Sequence, residues 1–236
     1  NNDEVHERRM EHCHAGLSQR KRRDTSMKQN GFYWTLFAPM IKSSIKARFG
    51  NEMAVKAIKN GKKQYRTLVE EAPDIGSGNP MASNAYFAYV FVGAWLGTDK
   101  KLTPDDMALV MTDVLTKVKP FFGMTNLNKT PDKWYKDMKK YEKWYDAGNG
   151  EKYPTTWKVH FDERKHRDGS FYYFSVCPIC SYLTSRGLGE IMKPLCETDK
   201  VMFAYQHGKL YREHTIASGG EICDYWAVGD KVEDPQ

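Results

Sequence analysis

The sequence has 236 residues, of which 40% are hydrophobic and 28% are charged, and its formal net charge is +6. This balance is typical of a soluble globular protein with a core. No stretch approaches the ~18 consecutive apolar residues of a membrane-spanning helix, and the densest basic run, residues 20–23, is short and lacks a nucleic-acid reader motif. We therefore expect neither a membrane nor a nucleic acid as a partner.

The first 150 residues are predicted to be helical. Apolar residues recur at helical spacing from residue 32 to 49, where Pro39 is expected to end or kink the helix near Ala38. Thr103, followed by Pro104 and two acidic residues, is a strong signal for the start of a helix. The predicted helices span residues 32–49, 51–69, 81–96, 104–118 and 131–148, and a loop rich in glycine and proline occupies 73–80.

After Gly150 the hydrophobic pattern changes from helical spacing to alternation. Trp157, Val159 and Phe161 alternate with polar residues, as in a strand that is buried on one face. The predicted strands span residues 156–163, 170–176, 210–217 and 222–228, with a turn at 168–169 and a helix over 190–205. The expected fold class is α+β: an all-helical N-terminal half (residues 1–150) packed on a C-terminal antiparallel sheet with helices (residues 151–236), forming one integrated domain.

The polar amino terminus shows no apolar run that could act as a secretory signal, which favours a cytoplasmic location. Cytoplasmic cysteines are expected to be thiols or metal ligands rather than disulfides. The oligomeric state stays open, with a homo-oligomer as one alternative. No phosphate loop or dinucleotide turn is present, so a nucleotide cofactor is not expected.

Four of the five cysteines lie in the last third of the chain, and they allow three interpretations. They could hold zinc, with the Cys-x-x-Cys pair supplying two ligands, although only half of the usual spacing rule is met. A cysteine such as Cys180 or Cys223 could instead be a nucleophile, which requires a lowered pKa and a neighbouring proton carrier. Any single cysteine could also be an ordinary core residue. The four are Cys177, Cys180, Cys196 and Cys223, and the candidate proton carriers are His160, His207, His214, Asp199 and Glu190.

Polar groups of several types accompany these thiols. Asp199, Asp224 and Thr215 lie within the same span, and Gly219 with Gly220 allows close approach of a backbone. Burial of unpartnered acids is costly, so a cleft explains this density better than packing does.

These segments resemble the L-2-amino-thiazoline-4-carboxylic acid hydrolase family. The resemblance covers mainly residues 153–228, and its last motif is long and specific. It is carried by Cys177-Pro-Ile-Cys180, by Leu195-Cys196-Glu197-Thr198-Asp199, and by Arg212-Glu213-His214-Thr215-Ile216-Ala217-Ser218-Gly219-Gly220-Glu221-Ile222-Cys223-Asp224.

The resemblance implies hydrolytic opening of a small sulfur- or nitrogen-containing ring that carries a carboxylate. It suggests that Cys223 or Cys196 attacks or helps to bind the substrate and that Asp199 and Asp224 handle protons. Developing charge would be held by Thr215 and by the amides near Gly219 and Gly220. Cys180 is a further catalytic candidate, and the candidate substrate-binding residues are Arg212, which could hold the carboxylate, Gly219, Gly220 and His160.

Two other classes of function remain open at this point. The first is a ligand-binding or sensor module without catalysis, in which Cys177, Cys180, Cys196 and Cys223 hold zinc or report redox state. The second is a structural partner protein that uses the aromatic-rich helix at residues 134–145 as an interface. For the leading hydrolase hypothesis we expect a small-molecule substrate and no cofactor, with zinc as the alternative.

Overall fold

The computed structural model describes residues 27–162 and 165–236. Two features of the sequence lie outside the described residues: the basic run at residues 20–23, and Glu163, the predicted end of the first strand. None of the helices in the described part of the chain is long and apolar enough to cross a membrane.

The fold is α+β, as predicted. A helical N-terminal half packs on a four-stranded antiparallel sheet with strand order β1-β2-β4-β3. The helices are α1 (Gly31–Phe49), α2 (Asn51–Glu71), α3 (Ala82–Gly97), α4 (Pro104–Phe122), α5 (Lys133–Trp144), α6 (Pro178–Ser185) and α7 (Met192–Tyr205), and the strands are β1 (Lys158–His160), β2 (Ser170–Val176), β3 (Gly208–Tyr211) and β4 (Cys223–Gly229). Helix α5 continues through a π-helical turn, Tyr145–Asn149, and a short α turn, Gly150–Lys152.

Helix α1 does not end at Pro39. Of the two predicted effects of this proline, an end or a kink near Ala38, the first is therefore wrong. The helix begins where the Asn30 side chain accepts a hydrogen bond from the Phe32 amide, and it runs on past the proline to Phe49. Proline in a helix interior removes one backbone hydrogen bond. Buried side chains on both sides of Pro39, among them Trp34 and Ile41, pack into the core and outweigh that loss.

Helix α3 is the central helix, as its apolar sequence predicts, and it lies very close to α2. Their contact is lined by glycines: a Cβ added to Gly93 would lie 2.9 Å from the Tyr65 amide nitrogen, and one added to Gly61 would lie 2.9 Å from the Gly93 carbonyl oxygen. Only residues without side chains allow the two backbones to approach this closely.

Helix α4 begins as predicted. The Thr103 hydroxyl accepts a hydrogen bond from the Asp106 amide, and the Asp106 carboxylate accepts one from the Thr103 amide, which makes a capping box with Pro104 at the first helical position. The helix extends four residues beyond its predicted end, to Phe122.

The sheet is smaller than predicted at two places. Strand β1 covers only Lys158–His160, and β3 ends at Tyr211 although a strand was predicted through Ala217. Beyond Tyr211 the chain leaves the sheet because the Asp224 carboxylate binds the amides of Glu213 and His214. Residues Ile216–Ser218 then form a 3-10 turn instead of a strand.

The helical half and the sheet share one hydrophobic core. A buried polar network also joins them: the Asn79 side chain donates to the Thr156 hydroxyl over 2.9 Å, and the Tyr141 hydroxyl donates to the Trp157 carbonyl over 2.7 Å. Thr156 and Trp157 lead into β1, so this network joins the loop before α3 and helix α5 to the start of the sheet.

Candidate active site

The two faces of the sheet divide the predicted site residues. Successive side chains of a strand point to opposite faces, so Cys223 and Asp224 are separated although they are neighbours in sequence. Cys223 pairs with Phe174 and Tyr225 pairs with Tyr172 on the face that meets the helices. Asp224 lies on the opposite face, in register with Tyr173.

A cavity of about 340 Å³ lies between this inner face and the helices. Its walls come from the start of α3, from α5, from α7 and from strands β2 and β4. Ser83, Asn84 and Lys140 are exposed and form its rim, whereas aromatic side chains form its interior. The lining residues are Pro80, Met81, Ser83, Asn84, Trp134, Asp137, Met138, Lys140, Tyr141, Tyr172, Phe174, Asp199, Met202, Phe203 and Tyr225.

Asp199 is the predicted catalytic residue that lines this cavity. Its Oδ2 atom accepts hydrogen bonds from Arg212 Nη1 and from the Tyr225 hydroxyl, both over 2.8 Å. Burial raises the pKa of Asp199, and the charge of Arg212 and the hydrogen bond from Tyr225 oppose that rise. The carboxyl group is therefore oriented by two donors and holds its proton more tightly than an ordinary aspartate.

Arg212 holds Asp199 rather than facing the cavity. Its side chain is only 2% exposed, and its second nitrogen, Nη2, donates to the Cys196 carbonyl over 2.6 Å. Burial alone would lower the pKa of Arg212, but the attraction of Asp199 outweighs it and the pKa is raised. The guanidinium is thus a fixed cation, and its fork is already occupied by groups of the protein.

The described thiols lie near one another but off the cavity wall. Cys177, Cys180, Cys196 and Cys223 form no disulfide, and no cysteine is among the described residues that line the cavity. Burial, with a smaller contribution from Asp199, raises the pKa of Cys196 to about 12. Burial also raises the pKa of Cys177 and of Cys223. A thiol with a raised pKa is protonated at neutral pH, which is unfavourable for a nucleophile.

The four thiols are not spaced as zinc ligands. Tetrahedral zinc holds cysteine sulfurs at about 2.3 Å, which places them roughly 4 Å apart. Among the described residues, the only three potential metal-binding side chains with ligand atoms within 4.8 Å of one another are Glu213, His214 and Asp224. There, the Asp224 oxygens already accept hydrogen bonds from the amides of Glu213 and His214.

The other candidate catalytic and substrate-binding residues, His160, Thr215, Gly219 and Gly220, lie on the outer face of the sheet or in the loop before β4. His160 Nε2 lies 2.8 Å from the Ser175 hydroxyl, and the ring stacks on Tyr173. In the loop, the Gly220 amide donates to the Thr215 carbonyl over 3.0 Å, and Gly219 adopts a φ of +87°, which favours glycine. Within the described structure, these amides and the Thr215 hydroxyl close a turn, and their residues do not line the cavity.

This loop also binds one of the thiols. The Ile216 amide donates to Cys223 Sγ over 3.2 Å, which fixes the loop against the inner face of the sheet. The long motif from Arg212 to Asp224 therefore has two structural roles. Its first residue, Arg212, binds Asp199, and its loop is held against the sheet by Cys223.

Sequence reasoning missed most of the cavity wall. Trp134, Met138 and Tyr141 recur at i, i+4 and i+7 along α5, which is the spacing of a helix face. That face is part of the wall, and Trp134 donates to Gln206 over 2.9 Å. Alternation along β2 and β4 could have placed Tyr172 and Tyr225 together, but only once the register between the two strands was known.

The fold and the cavity define a class of protein: an α+β domain with an acid held by a buried arginine at the wall of a small aromatic cavity. A family model described as L-2-amino-thiazoline-4-carboxylic acid hydrolase matches residues 83–227, which is more than half of the chain. The chain belongs to the L-2-amino-thiazoline-4-carboxylic acid hydrolase family, which confirms the resemblance. Comparison with curated proteins and with solved structures found no significant match.

The matched span extends well beyond the motifs that carry the resemblance. It reaches back to Ser83 at the cavity rim and includes α5 and all of α3 except its first residue, Ala82. Apart from Pro80 and Met81, every described residue of the cavity wall lies inside it.

Proposed function

We propose that the protein hydrolyses a small heterocyclic carboxylate, such as L-2-amino-thiazoline-4-carboxylate, in the cavity beside Asp199. The observation that carries this proposal is the carboxyl group of Asp199, which lines the cavity, is oriented by Arg212 and Tyr225, and has a raised pKa. A raised carboxyl pKa brings the group closer to the range in which it can both accept and return a proton.

The reaction adds one water molecule to the ring. Water attacks the ring carbon that bears the sulfur, the ring nitrogen and the amino group; a carbon–oxygen bond forms, and the electron pair of the ring carbon–nitrogen double bond moves to the nitrogen. The carbon–sulfur bond then breaks, the new hydroxyl group loses its proton to the ring nitrogen and becomes the carbonyl of a carbamoyl group, and the sulfur leaves with the other water proton as a thiol. No oxidant or reductant is needed.

Asp199 carries the proton that passes from the attacking water to the sulfur in this scheme. Its ionised form accepts a proton from the attacking water, and its protonated form returns the proton to the departing sulfur. Arg212 and Tyr225 keep the carboxyl group in one orientation through both steps, since each bonds the same oxygen and leaves the other free for water.

In this scheme water rather than a cysteine is the nucleophile. The raised pKa of Cys196 and Cys223 keeps these thiols protonated, and neither lines the cavity. Their proposed role is to fill the core beneath Asp199 and to hold the loop at Ile216.

The cavity suits a small, flat ring with a charged end. Its volume is at the lower limit of ordinary ligand pockets, and aromatic residues such as Phe174 and Phe203 can contact both faces of a ring. At the rim, Lys140 is positioned to bind a carboxylate, because its partner Asp137 is also bound by Lys133.

The test is hydrolysis of L-2-amino-thiazoline-4-carboxylate, followed by titration of the released thiol. We expect the wild-type protein to release thiol and Asp199→Asn to lose about 10²–10⁴-fold in kcat, the usual contribution of a general acid–base group. Asp105→Asn is the matched control, because this exposed acid in the first turn of α4 does not line the cavity and should retain turnover in folded protein.

Cysteine variants separate the water mechanism from a thiol mechanism. Cys196→Ala and Cys223→Ala, compared as folded protein, should keep kcat within about tenfold because neither group bonds the substrate. A complete loss in either variant with an unchanged fold contradicts the water mechanism. Absence of turnover by the wild-type protein on aminothiazoline and cyclic amidine carboxylates contradicts the proposed function.

A further inference from the structure

Tyr172 occupies the cavity wall beside the Asp199 network. It lies in the middle of β2, opposite Tyr225 of β4, and the two rings stack in parallel with centroids 5.2 Å apart and an interplanar angle of 7°. The residue is 3% exposed and lines the cavity. Because Tyr225 binds Asp199, this stacking fixes the Tyr172 ring next to the proposed proton carrier.

No hydrogen bond joins the Tyr172 hydroxyl group to another described residue, and this atom is not one of the fully enclosed unpaired atoms of the described structure, as fits a group that faces the cavity. Among the other buried tyrosines, Tyr65 donates to the Asn30 carbonyl and Tyr141 to the Trp157 carbonyl, whereas the Tyr182 hydroxyl has no partner in the described structure. A hydroxyl group that faces a cavity and is not bound by the protein is available to a molecule that enters the cavity.

The hydroxyl is a neutral phenol. Burial raises its pKa, and the nearby charge of Asp199 raises it further against the opposing charge of Arg212. Asp137, another residue of the cavity wall, acts in the same direction. Tyr172 can therefore both donate and accept a hydrogen bond without changing its charge.

We propose that Tyr172 is a specificity-determining residue whose hydroxyl forms a hydrogen bond with the exocyclic amino group of the ring substrate. The inference rests on the proposed function, because the reacting ring carbon must face the water bound by Asp199. The amino group is attached directly to that carbon, so it lies within reach of the neighbouring hydroxyl when the ring occupies the space between α5 and β2.

The test combines one substitution with one change of ligand. Tyr172→Phe keeps the ring and its stacking but removes the hydroxyl. Two compounds are compared: L-2-amino-thiazoline-4-carboxylate and its 2-methyl analogue, in which a methyl group replaces the amino group. Dissociation constants of both are measured by calorimetry, and kcat/KM is measured for the amino compound.

We expect Tyr172→Phe to lower kcat/KM and the affinity for the amino compound by about tenfold to a hundredfold, the range for loss of one well-placed hydrogen bond. Affinity for the methyl analogue should be unchanged, because it makes no such bond. The melting temperature of the free protein should not fall, since the hydroxyl has no partner within the described structure, whereas a purely structural role would lower it.

Tyr182→Phe is the matched control. The Tyr182 hydroxyl is also buried without a hydrogen-bond partner in the described structure, but Tyr182 does not line the cavity. We expect this variant to bind and hydrolyse the amino compound as the wild-type protein does.

The outcomes are distinguishable. Equal losses for both compounds, or no loss for either, in Tyr172→Phe would overturn the role of Tyr172 while active wild-type protein would leave the proposed hydrolase function standing. If the wild-type protein neither binds nor hydrolyses the amino compound, both proposals are wrong.

Discussion

The carboxyl group of Asp199 is under two opposing influences. Burial favours its neutral form, whereas Arg212 and the Tyr225 hydroxyl favour its ionised form, and burial is the largest of these effects. An exposed aspartate, with its ordinary pKa, would be ionised near neutral pH but would be too weak a base for proton transfer. Its burial is therefore useful to the proposed chemistry.

The pH dependence of turnover tests this balance. Because ionised Asp199 must accept the proton, kcat/KM should fall as pH decreases through its pKa, which lies above the usual value of about 3.9. Tyr225→Phe removes a donor that lowers this pKa, so the acidic limb of the profile should move to higher pH. The measurement is kcat/KM against pH for both proteins, and a limb that stays in place or moves to lower pH argues against Asp199 as the base.

Sequence reasoning at this scale singled out Asp199, which lines the cavity, but not the residues that surround it. Asp199, Cys196 and Arg212 were predicted to lie together, and the structure places them in one network. Asp224 was grouped with them because it is close in sequence to Cys223, but one step along a strand reverses the direction of a side chain. Arg212 was expected to bind a substrate, and nothing in its sequence context reveals that a buried acid occupies its donors.

At the scale of elements, the contact of α2 with α3 fixes one wall of the site. Gly97 ends α3 where a Cβ would lie 2.6 Å from the Gly61 amide nitrogen and would also contact the Ala57 carbonyl oxygen. These neighbours are backbone atoms of α2, so they cannot rotate away as a side chain can. The helices must separate to accommodate any larger residue, and the start of α3 at the cavity moves with them.

We expect Gly97→Ala to lower the free energy of unfolding by about 1–3 kcal/mol, the usual cost of overpacking. Gly31→Ala is the control, because its Cβ would meet no atom within 4 Å at the first residue of α1. Denaturant titration of both variants gives the comparison, and equal stability of the two would show that α2 and α3 are not in close contact.

Predictions of elements from sequence succeeded where local signals are strong. The capping residues at Thr103 and the turn before Ser170 fixed the start of α4 and of β2. The prediction for β3 extended too far because Thr215 and Ile216 have strand propensity, whereas Asp224 binds the backbone that precedes them. Such tertiary contacts override local preference and are not visible in a single sequence.

At the scale of the whole molecule, the cavity exists only because the helical half and the sheet are held together. The sequence predicted both halves and their order, but not the buried polar network that joins them. Asn79 donates to the Ile75 carbonyl and to the Thr156 hydroxyl, and it accepts a hydrogen bond from the Met81 amide. It thereby connects the loop before α3 both to β1 and to the cavity wall.

We expect Asn79→Ala to lower the free energy of unfolding by about 2–4 kcal/mol, because it removes three hydrogen bonds of a buried side chain. It should also raise KM more than it lowers kcat, since Met81 lines the cavity and Asp199 lies elsewhere on the wall. Asn60→Ala, which removes one long hydrogen bond of 3.4 Å to the Gly97 carbonyl, is the control and should change stability little.

Calorimetry of the wild-type protein and of Asn79→Ala then distinguishes one cooperative unit from two. If the shared core makes the halves interdependent, each protein unfolds in one transition whose calorimetric and van't Hoff enthalpies agree, and the substitution shifts that transition as a whole. Two separated transitions in the variant would mean that the sheet and the helices keep independent stability, and that Asn79 only docks one on the other. In that case the cavity would open while both halves stay folded, and the KM of Asn79→Ala would already be raised at temperatures below either transition.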